Sequence, residues 1–146
     1  MRNILFTLAL LISFSSFGQD DIKQGLVTEY YENGAVSSKS NYVDGKPQGE
    51  YIQYYRSGEV LYKINYVDGV KQGEYIFNYE SGGVRQKGNY VDGKEQGERI
   101  NYFKSGEVRF KGNYVDGKRQ GEYIEYYENG EIKEIQNYNN GELIDE

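Results

Sequence analysis

The chain has 146 residues, enough for one ordinary domain or one short repeat array. Charged residues make up 27% and hydrophobic ones 37%, too polar for a large interior core, while the 16% aromatic content argues against plain disorder. Lys and Arg number 17 against 23 Asp and Glu, a net charge of −6 that repels nucleic-acid phosphates and anionic lipid headgroups, so neither is expected as a partner. With no Cys and no His there are no disulfides, thiolate or imidazole metal ligands, or Ser-His-Asp relay. No cofactor, no metal site and no enzyme activity are expected.

Residues 1–18 read as an export signal. Arg2 precedes an apolar run from Ile4 to Ile12, and a small polar stretch ends at Ser16-Phe17-Gly18. The run is under half of the about 20 residues that a membrane span needs, so no membrane insertion is expected once the signal is removed. The expected location is the periplasm, the cell envelope or the medium. Residues 19–24 form a short leader resembling the tail of a repeat.

From residue 25 one unit recurs five times. Asn41-Tyr42-Val43-Asp44-Gly45 returns at Asn65, Asn89 and Asn113, each 24 residues on, and more weakly at Asn137. The units are 25–48, 49–72, 73–96, 97–120 and 121–144, with 145–146 as a tail. Each contains two glycine turns, the first at Gly34, Gly58, Gly82, Gly106 and Gly130, and the second at Gly45, Gly69, Gly93, Gly117 and Gly141. Asn-Gly and Asp-Gly suit two-residue hairpin turns, because both central residues need positive φ. Ser-Gly in the first turn of three units also suits a three-residue turn with a bulge.

An even repeat returns every column to the same side of a sheet. The sequence therefore predicts an all-β fold: an elongated, single-layer antiparallel meander of roughly ten strands, about 4.8 Å apart. Pairing across two-residue turns sets Tyr55 opposite Val60 and Tyr62 opposite Tyr75. One face then collects Tyr31, Tyr55, Tyr79, Phe103 and Tyr127 with Val36, Val60, Val84, Val108 and Ile132, and with the column from Tyr42 to Tyr138. The other carries Ile52, Ile76, Ile100 and Ile124, Tyr30, Tyr54, Tyr102 and Tyr126, and Lys39, Lys63, Lys87 and Lys111. A one-residue bulge would move some members between faces.

Tyr30-Tyr31-Glu32-Asn33-Gly34, Asn41-Tyr42-Val43-Asp44-Gly45-Lys46 and Gly49-Glu50-Tyr51 resemble the variant form of the MORN repeat. Bacterial proteins with such arrays are often labelled YwqK-type antitoxins. The resemblance implies a non-catalytic scaffold that contacts other macromolecules, and its label adds an antitoxin or immunity role as an alternative.

Candidate partner-binding residues are Tyr30, Tyr54, Tyr102 and Tyr126, since Tyr joins a large apolar body to a polar tip, with Lys63, Lys87 and Lys111 beside them. A protein partner is the first expectation and a polysaccharide stacked on the rings the second. The Lys stems are expected to drape over rings with the ammonium in water. Asp44, Asp68, Asp92 and Asp116 are two strands apart, about 9–10 Å, too far to share an ion, and turn chemistry explains them. Glu50, Glu74, Glu98 and Glu122 share one repeated environment, unlike a catalytic carboxylate pair.

Overall fold

The computed structural model describes residues 22–144, and the expected export signal lies outside the described residues. Within them the chain is entirely strands and turns. The strands are β1 (Gly25–Tyr30), β2 (Val36–Val43), β3 (Lys46–Tyr54), β4 (Val60–Val67), β5 (Val70–Asn78) and β6 (Val84–Val91). They continue as β7 (Lys94–Glu95), β8 (Gly97–Tyr102), β9 (Val108–Val115), β10 (Lys118–Tyr126), β11 (Ile132–Asn139) and β12 (Glu142–Ile144). All twelve belong to one open antiparallel sheet in which each strand pairs with its chain neighbours, while β7 and β8 are halves of one strand that both pair with β6. The sheet thus has eleven strand positions rather than about ten, because β12 adds a short strand after the last turn.

The two turn types differ. At the second turn, Asp44, Asp68, Asp92, Asp116 and Asn140 have φ between 49° and 52° and are followed by positive-φ Gly, the two-residue geometry expected. At the first turn the residue before Gly is not in the left-handed region. Instead Gly58 N–H donates to the Tyr55 carbonyl (3.0 Å) and Tyr55 N–H to the Glu59 carbonyl (2.8 Å), leaving three residues in the loop. Asn33-Gly34 and Asn129-Gly130 adopt this geometry as well, so the two-residue expectation fails for all five first turns.

The longer loop corrects the pairing. Tyr54, not Tyr55, stands opposite Val60, and the next pair is Gln53–Tyr62, with Leu61 bulged out. This one-residue slip moves Val36, Val60, Val84, Val108 and Ile132 away from the Tyr55 column. They stand instead opposite Tyr30, Tyr54, Asn78, Tyr102 and Tyr126. A second irregularity follows the Asp-Gly turn. Between Asn65–Gln72 and Lys63–Ile76 the register shifts by two residues at Gly73, so Tyr62 faces Phe77 rather than Tyr75. Because that shift is even, it preserves side-chain direction.

One face of the sheet is packed. Tyr62, Ile64 and Tyr75 are buried there, with Tyr51, Leu61, Tyr66, Phe77 and Tyr90 against them. Tyr62 stacks on Phe77 with ring centres 4.2 Å apart, and Tyr75 lies 4.9 Å from Tyr90. A single layer has no opposing sheet, so large rings lying down on neighbouring strands do the covering. Gly88 and Gly112 permit it, since a Cβ on Gly112 would sit 2.5 Å from Tyr123 Cδ2, and one on Gly88 2.8 Å from the Tyr75 hydroxyl. Burial pushes the phenol pKa values of Tyr62 and Tyr75 well above their ordinary value, with Tyr51, Tyr66, Tyr90 and Tyr123 raised for the same first reason.

Toward the C-terminal half cations thread this face. Arg99 replaces the Tyr of its column and lies 4.3 Å from the Tyr114 ring centre while donating to Glu95 (3.2 Å). Glu95 in turn accepts from the buried Tyr75 hydroxyl. Arg119 stands 4.3 Å from Tyr123 and 4.9 Å from Tyr138, joining the next rings.

Candidate open-face binding surface

The opposite face is built from three parallel rows that run across the strands. Each follows from cross-strand register, which brings side chains of neighbouring strands about 5 Å apart. The central row reads Thr28, Lys39, Ile52, Lys63, Ile76, Lys87, Ile100, Lys111, Ile124 and Ile135, every neighbouring pair directly opposed. Beside it lie the pairs Glu50–Asn65, Glu74–Asn89, Glu98–Asn113 and Glu122–Asn137. On its other side are the pairs of Tyr30, Tyr54, Tyr102 and Tyr126 with their Val or Ile partners.

The expected grouping of Ile, Lys and Tyr on one face therefore holds, and the Val column joins it. Lys39, Lys87 and Lys111 place their ammonium groups 5.8, 5.7 and 5.9 Å from the ring centres of Tyr54, Tyr102 and Tyr126. Such contacts contribute about 0.5–1 kcal/mol each at exposed sites. Lys63 is the exception. Its cross-unit neighbour is Asn78 instead of Tyr, and it pairs with Glu50 at 2.5 Å. Asn78 turns inward and donates to the Val60 carbonyl (3.0 Å). Contact with Tyr102, then the charges of Glu98 and Glu74, raises the Lys87 pKa. Tyr30 is 63% exposed on the edge strand, whereas Tyr54, Tyr102 and Tyr126 are half-buried.

The rows enclose repeated shallow concavities. One of about 320 Å³ is walled by Glu74, Lys87, Asn89 and Glu98 over Ile76 and Ile100. A second, of about 280 Å³, lies one unit on between Glu98, Lys111, Asn113 and Glu122, with Ile124 in its floor. Glu98 walls both. Within the rows Glu50, Glu74, Glu98 and Glu122 are matched one for one by Lys39, Lys63, Lys87 and Lys111, while Lys46, Lys94 and Lys118 share this face beyond them, next to the second turns.

Two repeated devices that hold these rows in phase escaped the sequence reading. Gln24, Gln48, Gln72, Gln96 and Gln120 accept from the backbone N–H of Asp44, Asp68, Asp92, Asp116 and Asn140, each 20 residues ahead, at 2.7–3.1 Å. The hydroxyls of Tyr31, Tyr55 and Tyr79 donate to the carbonyls of Tyr54, Asn78 and Tyr102 in the following unit (2.5–2.8 Å). The Gln column was visible as a residue repeated at the unit interval. The Tyr31 column was visible too, but its partner is a backbone carbonyl, which leaves no trace in side-chain pattern.

Comparison with known proteins agrees with this repeat frame. Residues 23–44, 47–68, 71–92, 95–116 and 119–140 each match the family model described as MORN repeat variant. No curated protein matches. Among solved structures, the chain is similar at 16% identity and a TM-score of 0.29 to a chain of a GtfA/B complex bound to UDP and GlcNAc. That likeness covers 72% of this chain and 20% of the other, so this chain spans about a fifth of its length.

Proposed function

The chain belongs to the MORN repeat variant family, a repeat architecture suited to binding or scaffolding, and from that premise we propose that it is an exported, non-catalytic scaffold whose open face docks a partner. The observation that supports this most is the contrast between faces. One is closed over its own rings, while the other presents the Ile–Lys row, the Glu–Asn pairs and a Tyr rim, broken at Asn78, in one phase along the array. The repeated carboxylates are exposed and share one environment, which suits recognition rather than acid–base chemistry. The basic, apolar and small-residue order of residues 1–18 supports action outside the cytoplasm.

Immobilised protein offered an envelope extract of its source cells tests the docking. Retention of a partner by the wild type, lost in a variant carrying Tyr54→Ala, Tyr102→Ala and Tyr126→Ala, is the expected result, and retention unaffected by those changes contradicts it. Fractionation tests export: the chain should be found outside the cytoplasm, beginning near Gln19, and a cytoplasmic chain still starting at Met1 contradicts the assignment.

A further inference from the structure

We propose that the open face holds a neutral, extended β-1,4-linked polysaccharide running across the strands, with one disaccharide per unit; this rests on the docking role of that face. Period is the first argument. Equivalent residues in adjacent units are two strands apart, about 9.4–9.8 Å, close to the length of two sugars in an extended β-1,4 chain. Chemistry is the second. Each concavity offers carboxylate acceptors (Glu74 and Glu98), an ammonium donor (Lys87) and an amide that does both (Asn89), above an aliphatic floor of Ile76 and Ile100. A sugar ring presents hydroxyls at its edge and C–H groups on its face, which is the complementary pattern.

Charge is the third argument. Along the rows a polyanion would meet Glu50, Glu74, Glu98 and Glu122, and a polycation the interleaved Lys residues, whereas a neutral chain meets donors and acceptors in equal number. A polyproline-II peptide has a similar period, about 9.3 Å per turn. It docks between free aromatic ridges, however, and here the rings of Tyr54, Tyr102 and Tyr126 are already covered by Lys39, Lys87 and Lys111.

The test is titration of the protein with cello- and chito-oligosaccharides from two to six sugars, followed by calorimetry. Affinity should rise about tenfold or more from the disaccharide to the hexasaccharide, as successive concavities fill at high local concentration, and should change little with salt. Glu98→Gln, altering the carboxylate shared by two concavities, should weaken hexasaccharide binding about tenfold at unchanged melting temperature, and Glu32→Gln, in a first turn, should not. No length dependence, binding confined to an anionic polymer, or displacement of the sugar by a proline-rich peptide overturns the proposal. If the sugars do not bind but a protein is retained in a way that depends on Tyr54, Tyr102 and Tyr126, the polysaccharide is wrong and the docking face stands. If the sugars do not bind and no protein is retained through those residues, both fall.

Discussion

The two faces of this sheet share one backbone and one set of turns, and both carry tyrosines, yet only one of them builds a core. On the packed face, rings lie flat on neighbouring strands, pressed over Gly88 and Gly112 and stacked on one another. On the open face, Tyr54, Tyr102 and Tyr126 stand in a rim, each topped by a Lys. The difference teaches that in a one-layer array, residue type does not decide whether a tyrosine is structural. What decides is the size of its cross-strand partner, since a ring can lie down only where its neighbour is small or is another ring.

The sharpest way to break that contrast is Tyr75→Ala. Its ring is 1% exposed, and truncation of a buried aromatic costs about 3–5 kcal/mol, read as a lower midpoint in urea denaturation. Because units touch only their neighbours, the loss should spread through units two to four rather than remain at one site. Next in size is Gly112→Ala, whose methyl would collide with Tyr123. Overpacking of this kind costs about 1–3 kcal/mol. Gly34→Ala would be a poor control, because φ there is 83° and any side chain is strained.

Alkaline titration sharpens the contrast without mutation. The raised phenol pKa values of Tyr62 and Tyr75 mean that the folded state keeps these protons after the unfolded chain, ionising near the ordinary value of 10.0, has lost them. Their contribution is therefore complete below about pH 10 and falls as pH rises above it. Chemical denaturation at pH 8 and pH 11 should show lower stability at the higher pH, and equal stability contradicts the burial assigned to the packed face. The smallest expected effect is Tyr102→Ala, about 1 kcal/mol or less, from a lost cross-strand pair and one exposed cation–π contact.

Much of this was legible in the chain itself. The even 24-residue interval and the Asp-Gly turns specify a hairpin array, and the alternation that puts Ile52 beside Lys63 needs only the period of two. The first turn was not legible in full. Asn33-Gly34 and Ser57-Gly58 adopt one three-residue geometry in spite of their different first residues. That one residue decides whether Val60 stands with Tyr54 or Tyr55. Nor could Gly88 and Gly112 be recognised as seats for rings, since in sequence they are simply Gly where Ile64 stands one or two units earlier. Arg99 reads as a mere departure from a Tyr column, and its contact with Glu95 needs the fold to bring the two side chains together.

Differential labelling of lysines, with the protein free and then saturated with its partner, tests the division of labour between the faces most directly. Lys71 is an internal control, because it lies on the packed face over Tyr62 and Tyr90. The account predicts that binding protects Lys87 and Lys111 and leaves Lys71 as reactive as before. Protection of Lys71 with Lys87 and Lys111 unchanged would contradict it.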